Sequence, residues 1–341
     1  VLGGERALVR TAFVNGTHAI ACAMFACVRP GQTLLSITGG VYDTLETVVG
    51  KHGNVPGSFP DYGMGFREVP LNNGAPDEPA ILAAVQAPDV AAVFVQRSRG
   101  YGIRKTLSPE EIGRLCALVK SVRPDLAVLV DNSYGEFVCE TEPLQHGADL
   151  QAASLIKNPG GGLAPCGGYI AGRADLVERA AARMTLPGIG GECGATLDVN
   201  RSLYQGLFLA PHVTAQAVKT EAFCAGVLQE LGYGVSPTAE EPRYDIIQTI
   251  DFGAPQPLIR FCEGIQSASP VDSFASPVPG EMPGYEDPVI MAAGTFIQGS
   301  SIELSCDAPL REPYTCYLQG GLTYESGKLG ILRAAERMLE A

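Results

Sequence analysis

Short apolar runs that alternate with helical patterns set the strongest limit on what this chain can fold into. Val90-Ala91-Ala92-Val93-Phe94-Val95 and Leu126-Ala127-Val128-Leu129-Val130 carry no polar residue, so each reads as a strand buried on both faces. Thr33 to Thr38, which ends in Gly39-Gly40, reads as a third strand. Helical patterns lie between them. Asn15-Gly16-Thr17-His18 caps a helix over Ala19 to Val28, with Ile20, Met24, Phe25 and Val28 at helical spacing and Arg29-Pro30-Gly31 as its stop. Asp77-Glu78-Pro79 opens another. Ser108-Pro109-Glu110-Glu111 sets a cap, a first-turn proline and a third-position glutamate before Ile112, Leu115, Leu118, Val119 and Val122 on one face. The alternation predicts an α/β fold with a mostly parallel sheet, whose ligands lie at the carboxyl ends of the strands.

The character changes after Gly206. A long helical stretch from about Pro211 to Leu231 is followed by strand-like runs near Ile246 to Phe252, Leu258 to Cys262 and Thr295 to Leu304. This predicts a large domain over residues 1–205 and a smaller C-terminal α/β domain over 206–341. Ser267 to Pro288 holds prolines at 270, 277, 279, 283 and 288, which excludes a helix or a central strand there.

Composition narrows the partners. The 341 residues hold 24 Lys+Arg against 37 Asp+Glu, a formal charge of −13, which argues against nucleic acid or an anionic membrane surface. Apolar residues make up 46% and charged residues 18%, enough for a large core and against general disorder. The longest near-apolar run, Ala19 to Val28, falls short of the roughly 18 residues of a membrane span, and no signal-peptide pattern is present. Val1-Leu2-Gly3-Gly4-Glu5-Arg6 reads as mid-domain sequence, so a preceding N-terminal segment is expected. The cysteines at 22, 27, 116, 139, 166, 193, 224, 262, 306 and 316 include no C-x-x-C pair, and several lie in apolar runs. They are expected to be buried reduced thiols of a cytoplasmic protein, not a disulfide framework or a metal site. The histidines at 18, 52, 146 and 212 show no ligand spacing either, so no metal is expected.

Leu126 to Val130 runs straight into Asp131-Asn132-Ser133-Tyr134-Gly135-Glu136. A carboxylate there sits at the ligand edge of the sheet, although an Asp capping the next turn would read the same. A later segment shifts the balance: Ser154-Leu155-Ile156-Lys157-Asn158-Pro159-Gly160-Gly161-Gly162. Among the lysines at 51, 105, 120, 157, 219 and 328, only Lys157 follows an apolar stretch and enters a glycine-rich loop. Apolar walls disfavour the charged ammonium and expose the neutral amine that Schiff-base chemistry needs. The lysine precedes the glycines, so this is no P-loop. Gly16-Thr17-His18 reads either as a phosphate cradle at a helix N-terminus or as an ordinary cap. Arg97 and Arg99 follow the strand at Val90 to Val95 toward the same edge as Asp131. An amino-acid substrate needs a bidentate partner for its carboxylate. Arg260, in the strand-like Leu258-Ile259-Arg260-Phe261, is a candidate, with a structural ion pair or Arg311 as alternatives.

A strand-end Asp, a Ser three residues ahead of a Lys and a glycine run beyond it resemble the fold-type I pyridoxal-phosphate enzymes. More closely, the chain resembles the methionine gamma-lyase-like family, also called the aluminium-resistance protein family, in the cystathionine-metabolism branch. Seven stretches carry the resemblance in order: Asn15 to Ile20, Tyr42 to Glu46, Gln96 to Tyr101, Asp131 to Phe137, Ser154 to Gly162, Ser269 to Ser273 and Gln319 to Glu325. The resemblance implies Lys157 as the catalytic imine lysine and Asp131 at the pyridine nitrogen. It further implies Ser154 with Gly16 and Thr17 at the phosphate, and Tyr42 stacked on the ring. Arg260 resembles the C-terminal-domain arginine that binds substrate carboxylate, with Arg97 and Arg99 as further substrate-binding candidates.

The implied activity is that of a pyridoxal-phosphate-dependent carbon–sulfur lyase, which removes the Cα proton of a sulfur-containing amino acid and expels a thiol. The implied assembly is a homodimer or homotetramer. Family members also begin with an arm that reaches the neighbouring subunit's site, which these residues do not include, and position 15 is Asn where a small residue such as Ser is expected. Two rivals use the same residues: a cofactor-binding or regulatory protein without turnover, and a pyridoxal enzyme of another type such as a racemase, aldolase or transferase.

Overall fold

The computed structural model describes residues 1–102, 104–282 and 285–340. They form two compact units, residues 1–155 with 166–198, and residues 156–165 with the chain from 199 onward. The division placed at 205/206 from sequence falls inside a helix, because that helix begins at Asn200 and carries Pro211 within it on its exposed side.

The first unit holds β1 (Arg6–Arg10), α1 (Gly16–Cys27), β2 (Thr33–Ser36), α2 (Asp43–Val49), β3 (Gly65–Glu68), α3 (Glu78–Ala84), β4 (Val90–Gln96), α4 (Pro109–Val122), β5 (Ala127–Asp131), β6 (Leu150–Ser154), β7 (Gly168–Gly172) and α5 (Ala174–Met184). Its seven strands lie in the order β1-β7-β6-β5-β4-β2-β3. From β3 to β6 the neighbours are parallel, and β7 runs antiparallel to both β6 and β1.

The uninterrupted apolar strands follow from burial on both faces. Alternate residues point to opposite sides: Ala92, Phe94, Ala127 and Leu129 join the core of α1 and α5, while Val93, Val95, Val128 and Val130 join that of α3 and α4. Small residues on α1 (Ala19, Ala23, Ala26) let it lie against β6, β7 and α5. Parallel strands with common direction bring Ser36, Gln96, Asp131 and Ser154 to one edge as the last residues of β2, β4, β5 and β6.

The second unit holds α6 (Asn200–Glu230), β8 (Gly234–Ser236), β9 (Ile247–Asp251), α7 (Pro255–Ser267), β10 (Val289–Ala292), β11 (Ser305–Pro309), β12 (Thr315–Gln319) and α8 (Tyr324–Leu339). Its five strands form an antiparallel sheet in the order β10-β11-β12-β9-β8. Two expected strands are corrected. Leu258 to Cys262 is helical, because Leu258, Phe261, Cys262 and Ile265 repeat at i, i+3, i+4, i+7 and all four are buried on one face of α7. Thr295 to Leu304 is a loop wrapped around the Glu303 carboxylate, which accepts from the backbone N–H of Phe296 at 2.7 Å and of Ile297 at 3.0 Å. Among the described residues, no helix is long and apolar enough to cross a membrane.

Candidate active site

In the first unit, Ser154 ends β6 directly beneath the start of α1. A Cβ built on Gly16 would lie 2.8 Å from Ser154 Cβ and 3.1 Å from its backbone nitrogen, so only glycine lets the helix entry sit this close. Asn15 caps the helix by accepting the His18 N–H at 2.8 Å. The first turn of a helix has no internal partners for its N–H groups. Among the described residues none is supplied to Gly16 or Thr17, whose hydroxyl is engaged with Thr44 at 2.9 Å. Two backbone donors, a positive helix end and a serine at the adjoining strand terminus make an anion cradle. Burial first, and Arg183 second, pull the His18 imidazole below its usual pKa.

Asp131 ends β5 opposite Gln96 of β4 and Ala152 of β6. Its carboxylate is buried and accepts from the Ser133 N–H at 3.0 Å, so a cationic ring nitrogen at this edge would meet a preset negative charge. Tyr42 stands at the N-terminus of α2, with Tyr101 edge-on at a centroid distance of 5.7 Å. Phosphate donors, a buried carboxylate and an aromatic face on one sheet edge fit pyridoxal phosphate. Gly16, Thr17 and Ser154 would hold its phosphate, Asp131 its ring nitrogen, and Tyr42 the ring face.

The arginines divide. Arg99 is buried on the wall of a cavity it shares with Tyr42 and Arg104. Arg97 instead turns inward and is fully buried, donating to Asn132 Oδ1 at 2.7 Å and to Glu142 at 3.2 Å. Tyr169 closes the same buried network by donating to Glu136 at 2.9 Å. Burial and these two glutamates push the Tyr169 phenol well up. Arg97 is therefore corrected from substrate-binding to structural: it pairs with the buried Glu142 carboxylate.

Lys157 belongs to the second unit, where it precedes a single 3₁₀ turn over Asn158–Gly160. The turn is clamped from several sides. The Ser300 hydroxyl donates to the Ile156 carbonyl at 3.0 Å. Gly161 and Gly206 bring the loop and α6 into backbone contact, since a Cβ on Gly161 would meet the Gly206 carbonyl. Gly162, at φ +74, lies against Leu322 just ahead of α8. The glycines thus allow a close approach that holds the lysine's loop against a helix.

Arg260 is corrected as well. It lies on α7, and its guanidinium binds the Glu340 carbonyl beyond the far end of α8. With 16 residues in α8, that end is about 24 Å from the end that faces the Lys157 loop. Arg260 is a helix-end clasp, and Arg311 pairs with Asp287 on the surface at 3.1 Å.

Sequence reasoning missed two groups. Arg104, five residues past Arg99 in an irregular stretch, lines the cavity beside Tyr42; no periodicity could assign it. It also missed that Cys262, Cys306 and Cys316, from α7, β11 and β12, place their three sulfurs within 4.8 Å of one another. All three are fully buried in an apolar cluster, and burial holds Cys306 and Cys316 well above the usual thiol range. They pack as small apolar side chains.

The methionine gamma-lyase family profile matches residues 1–339. The chain belongs to that family. Uncharacterised protein YnbB of Bacillus subtilis is 49% identical over 342 residues, covering 100% of this chain and 81% of the relative. A carbon–sulfur lyase involved in aluminium resistance from Clostridium novyi superposes with a TM-score of 0.94 at 48% identity, over 99% of this chain and 80% of that one. The pyridoxal-5'-phosphate-dependent protein YhfS of Escherichia coli, at 20% identity and a TM-score of 0.62 over 100% of this chain and 83% of its own, shares the fold.

Proposed function

We propose that this member of the methionine gamma-lyase family is a pyridoxal-phosphate-dependent carbon–sulfur lyase of fold type I, acting on a sulfur-containing amino acid with Lys157 as its catalytic lysine. The observation that carries the reading is the sheet edge of the first unit, where the Gly16–Thr17 helix entry packs on Ser154 and a buried Asp131 ends the adjacent strand. When bound, pyridoxal phosphate supplies an electron sink for the pair left when the Cα–H bond breaks. The protein supplies the rest. The backbone N–H groups of Gly16 and Thr17 and the Ser154 hydroxyl would bind the phosphate, Asp131 would keep the ring nitrogen protonated, and Tyr42 would cover the ring. Lys157 would hold the cofactor through its aldehyde, and as a free amine would be the base that takes the Cα proton and the acid that returns it to the departing sulfur.

The name of the Clostridium novyi relative supports carbon–sulfur cleavage. Ten cysteines with no disulfide among them fit a reducing, cytoplasmic compartment. A homodimer or homotetramer is part of the same reading, supported by Tyr204 and Phe208 standing exposed one helical turn apart on α6.

The test is a visible absorption spectrum of the protein with pyridoxal phosphate before and after borohydride reduction, followed by peptide mapping. A band fixed by reduction onto Lys157 is the expected result. Lys157→Ala should abolish turnover of cystathionine and methionine while leaving the circular-dichroism spectrum unchanged; a variant that still released thiol would overturn the mechanism.

A further inference from the structure

As thiols, Cys262, Cys306 and Cys316 pack as apolar side chains, but their placement also makes a set of ligands. Cys306 sits on β11 opposite Leu318 of β12, and Leu318 is two residues from Cys316, so both cysteines face the same side of the sheet. On that side α7 packs and turns Cys262 inward beside Leu258, Phe261 and Ile265. The Cys306 sulfur lies 3.5 Å from that of Cys262 and 2.7 Å from that of Cys316. Among the described residues, no other three Cys, His, Asp or Glu side chains bring their ligand atoms together this closely. Spacings of 44 and 10 residues hide the trio from any local motif.

The setting selects the charge of what these sulfurs can hold. All three lie fully buried among apolar side chains. Burial pushes the Cys306 and Cys316 thiols well up, and the neighbouring titratable groups Glu263 and Cys224 also oppose added negative charge. Thiolates suit soft centres, but three of them around copper(I) or zinc(II) keep a net negative charge, which a dry core strongly disfavours. A trivalent soft centre leaves none. Arsenous acid and three thiols give a neutral trithiolate: three As–O bonds break, three As–S bonds form, and each thiol proton leaves with a hydroxyl group as water. No oxidant or reductant is consumed.

We propose that Cys262, Cys306 and Cys316 form a trithiol site for a trivalent soft metalloid, arsenic(III) or antimony(III), in the core of the second unit. The site ties α7 to β11 and β12, so occupation should raise the melting temperature. It uses no residue of the first unit's candidate active site and stands whether or not the chain is a lyase. The sulfurs are shut off from solvent, so loading follows local opening of this core and is slow.

The test is incubation of the full chain with sodium arsenite under a phosphine reductant, which brings no competing thiol, followed by native mass spectrometry and X-ray absorption at the arsenic edge. A parallel sample is refolded from urea with arsenite present, so that access is no obstacle. One arsenic per chain with three sulfur neighbours and no oxygen is the expected result. Affinity should stay within about twofold between about pH 6 and about pH 8, because water and not free protons is released. A rise of about tenfold or more with pH would show charged thiolates as the ligands and overturn the proposal. Cys306→Ala should weaken arsenite binding about tenfold or more; an unchanged affinity overturns the site. Should that variant fail to fold, Cys139, Cys166 and Cys193, the cysteines that are not buried, are changed to Ser together. An arsenic that keeps its three sulfurs in that protein supports the trio, and one that loses them overturns it. So does the absence of bound arsenic from both the incubated and the refolded samples, or recovery of Cys306 and Cys316 as a disulfide under phosphine.

Discussion

Gly16 and Glu221 show how single positions load the two units. At Gly16 an added methyl would collide with both the side chain and the backbone of Ser154, and a backbone nitrogen cannot step aside as a flexible side-chain tip can. Gly16→Ala should cost about 1–3 kcal/mol through overpacking and weaken pyridoxal-phosphate binding about tenfold. An absorbance titration checks this, and an unchanged affinity would remove Gly16 from the cradle. Glu221, fully buried on α6, is the reverse case. Burial pushes its carboxyl well above the usual carboxylate range, and the nearby Arg243 guanidinium opposes the shift only in part. A raised folded-state pKa means that the group's contribution is complete below about pH 4.3 and drains away as pH rises, by about 1.4 kcal/mol per pH unit while the folded carboxyl stays protonated. Glu221→Gln should therefore gain melting temperature over the parent between pH 5 and pH 8; parallel melting curves across that range would contradict it.

Elements differ in how openly the sequence declares them. The start of α4 is fully legible, because its reciprocal cap is local: Glu111 N–H donates to Ser108 Oγ at 3.1 Å, and Ser108 N–H to the Glu111 carboxylate at 2.8 Å. Ser108→Ala should cost about 1 kcal/mol in urea unfolding, and a loss under a few tenths would show that the box contributes little. The buried strands β4 and β5 were equally plain, since nothing but a two-faced sheet uses five or six apolar residues in a row beside strong helix caps. In contrast, α7 was mistaken for a strand because a window of five residues around Arg260 cannot distinguish a period of two from one of 3.6. The error carried Arg260 into the site. For the candidate site, Asp131 and Ser154 were legible as strand ends, and Gly16 as a helix entry. Arg97 and Arg104 were not, because whether a loop arginine turns into the protein or toward a ligand depends on partners distant in sequence, Glu142 and Thr38 among them.

For the molecule as a whole, the exposed aromatic side chains Tyr204, Phe208, Phe274 and Phe296 of the second unit lead us to expect self-association. Light scattering of the full chain should give a mass of two or four subunits, and Phe208→Glu should shift it toward a lower mass; a monomeric parent protein would contradict the dimer or tetramer. The segment 156–165 groups with the elements from 199 onward, while residues before and after it group with the first unit. On the ribosome, Lys157 thus emerges well before Gly206, Ser300 and Leu322, the groups that clamp its loop. The first unit can gather its own strands during synthesis, but the Lys157 loop stays unclamped until residues 206, 300 and 322 have all been made. A chain cut short of them would carry Lys157 without the packing that holds its loop in place.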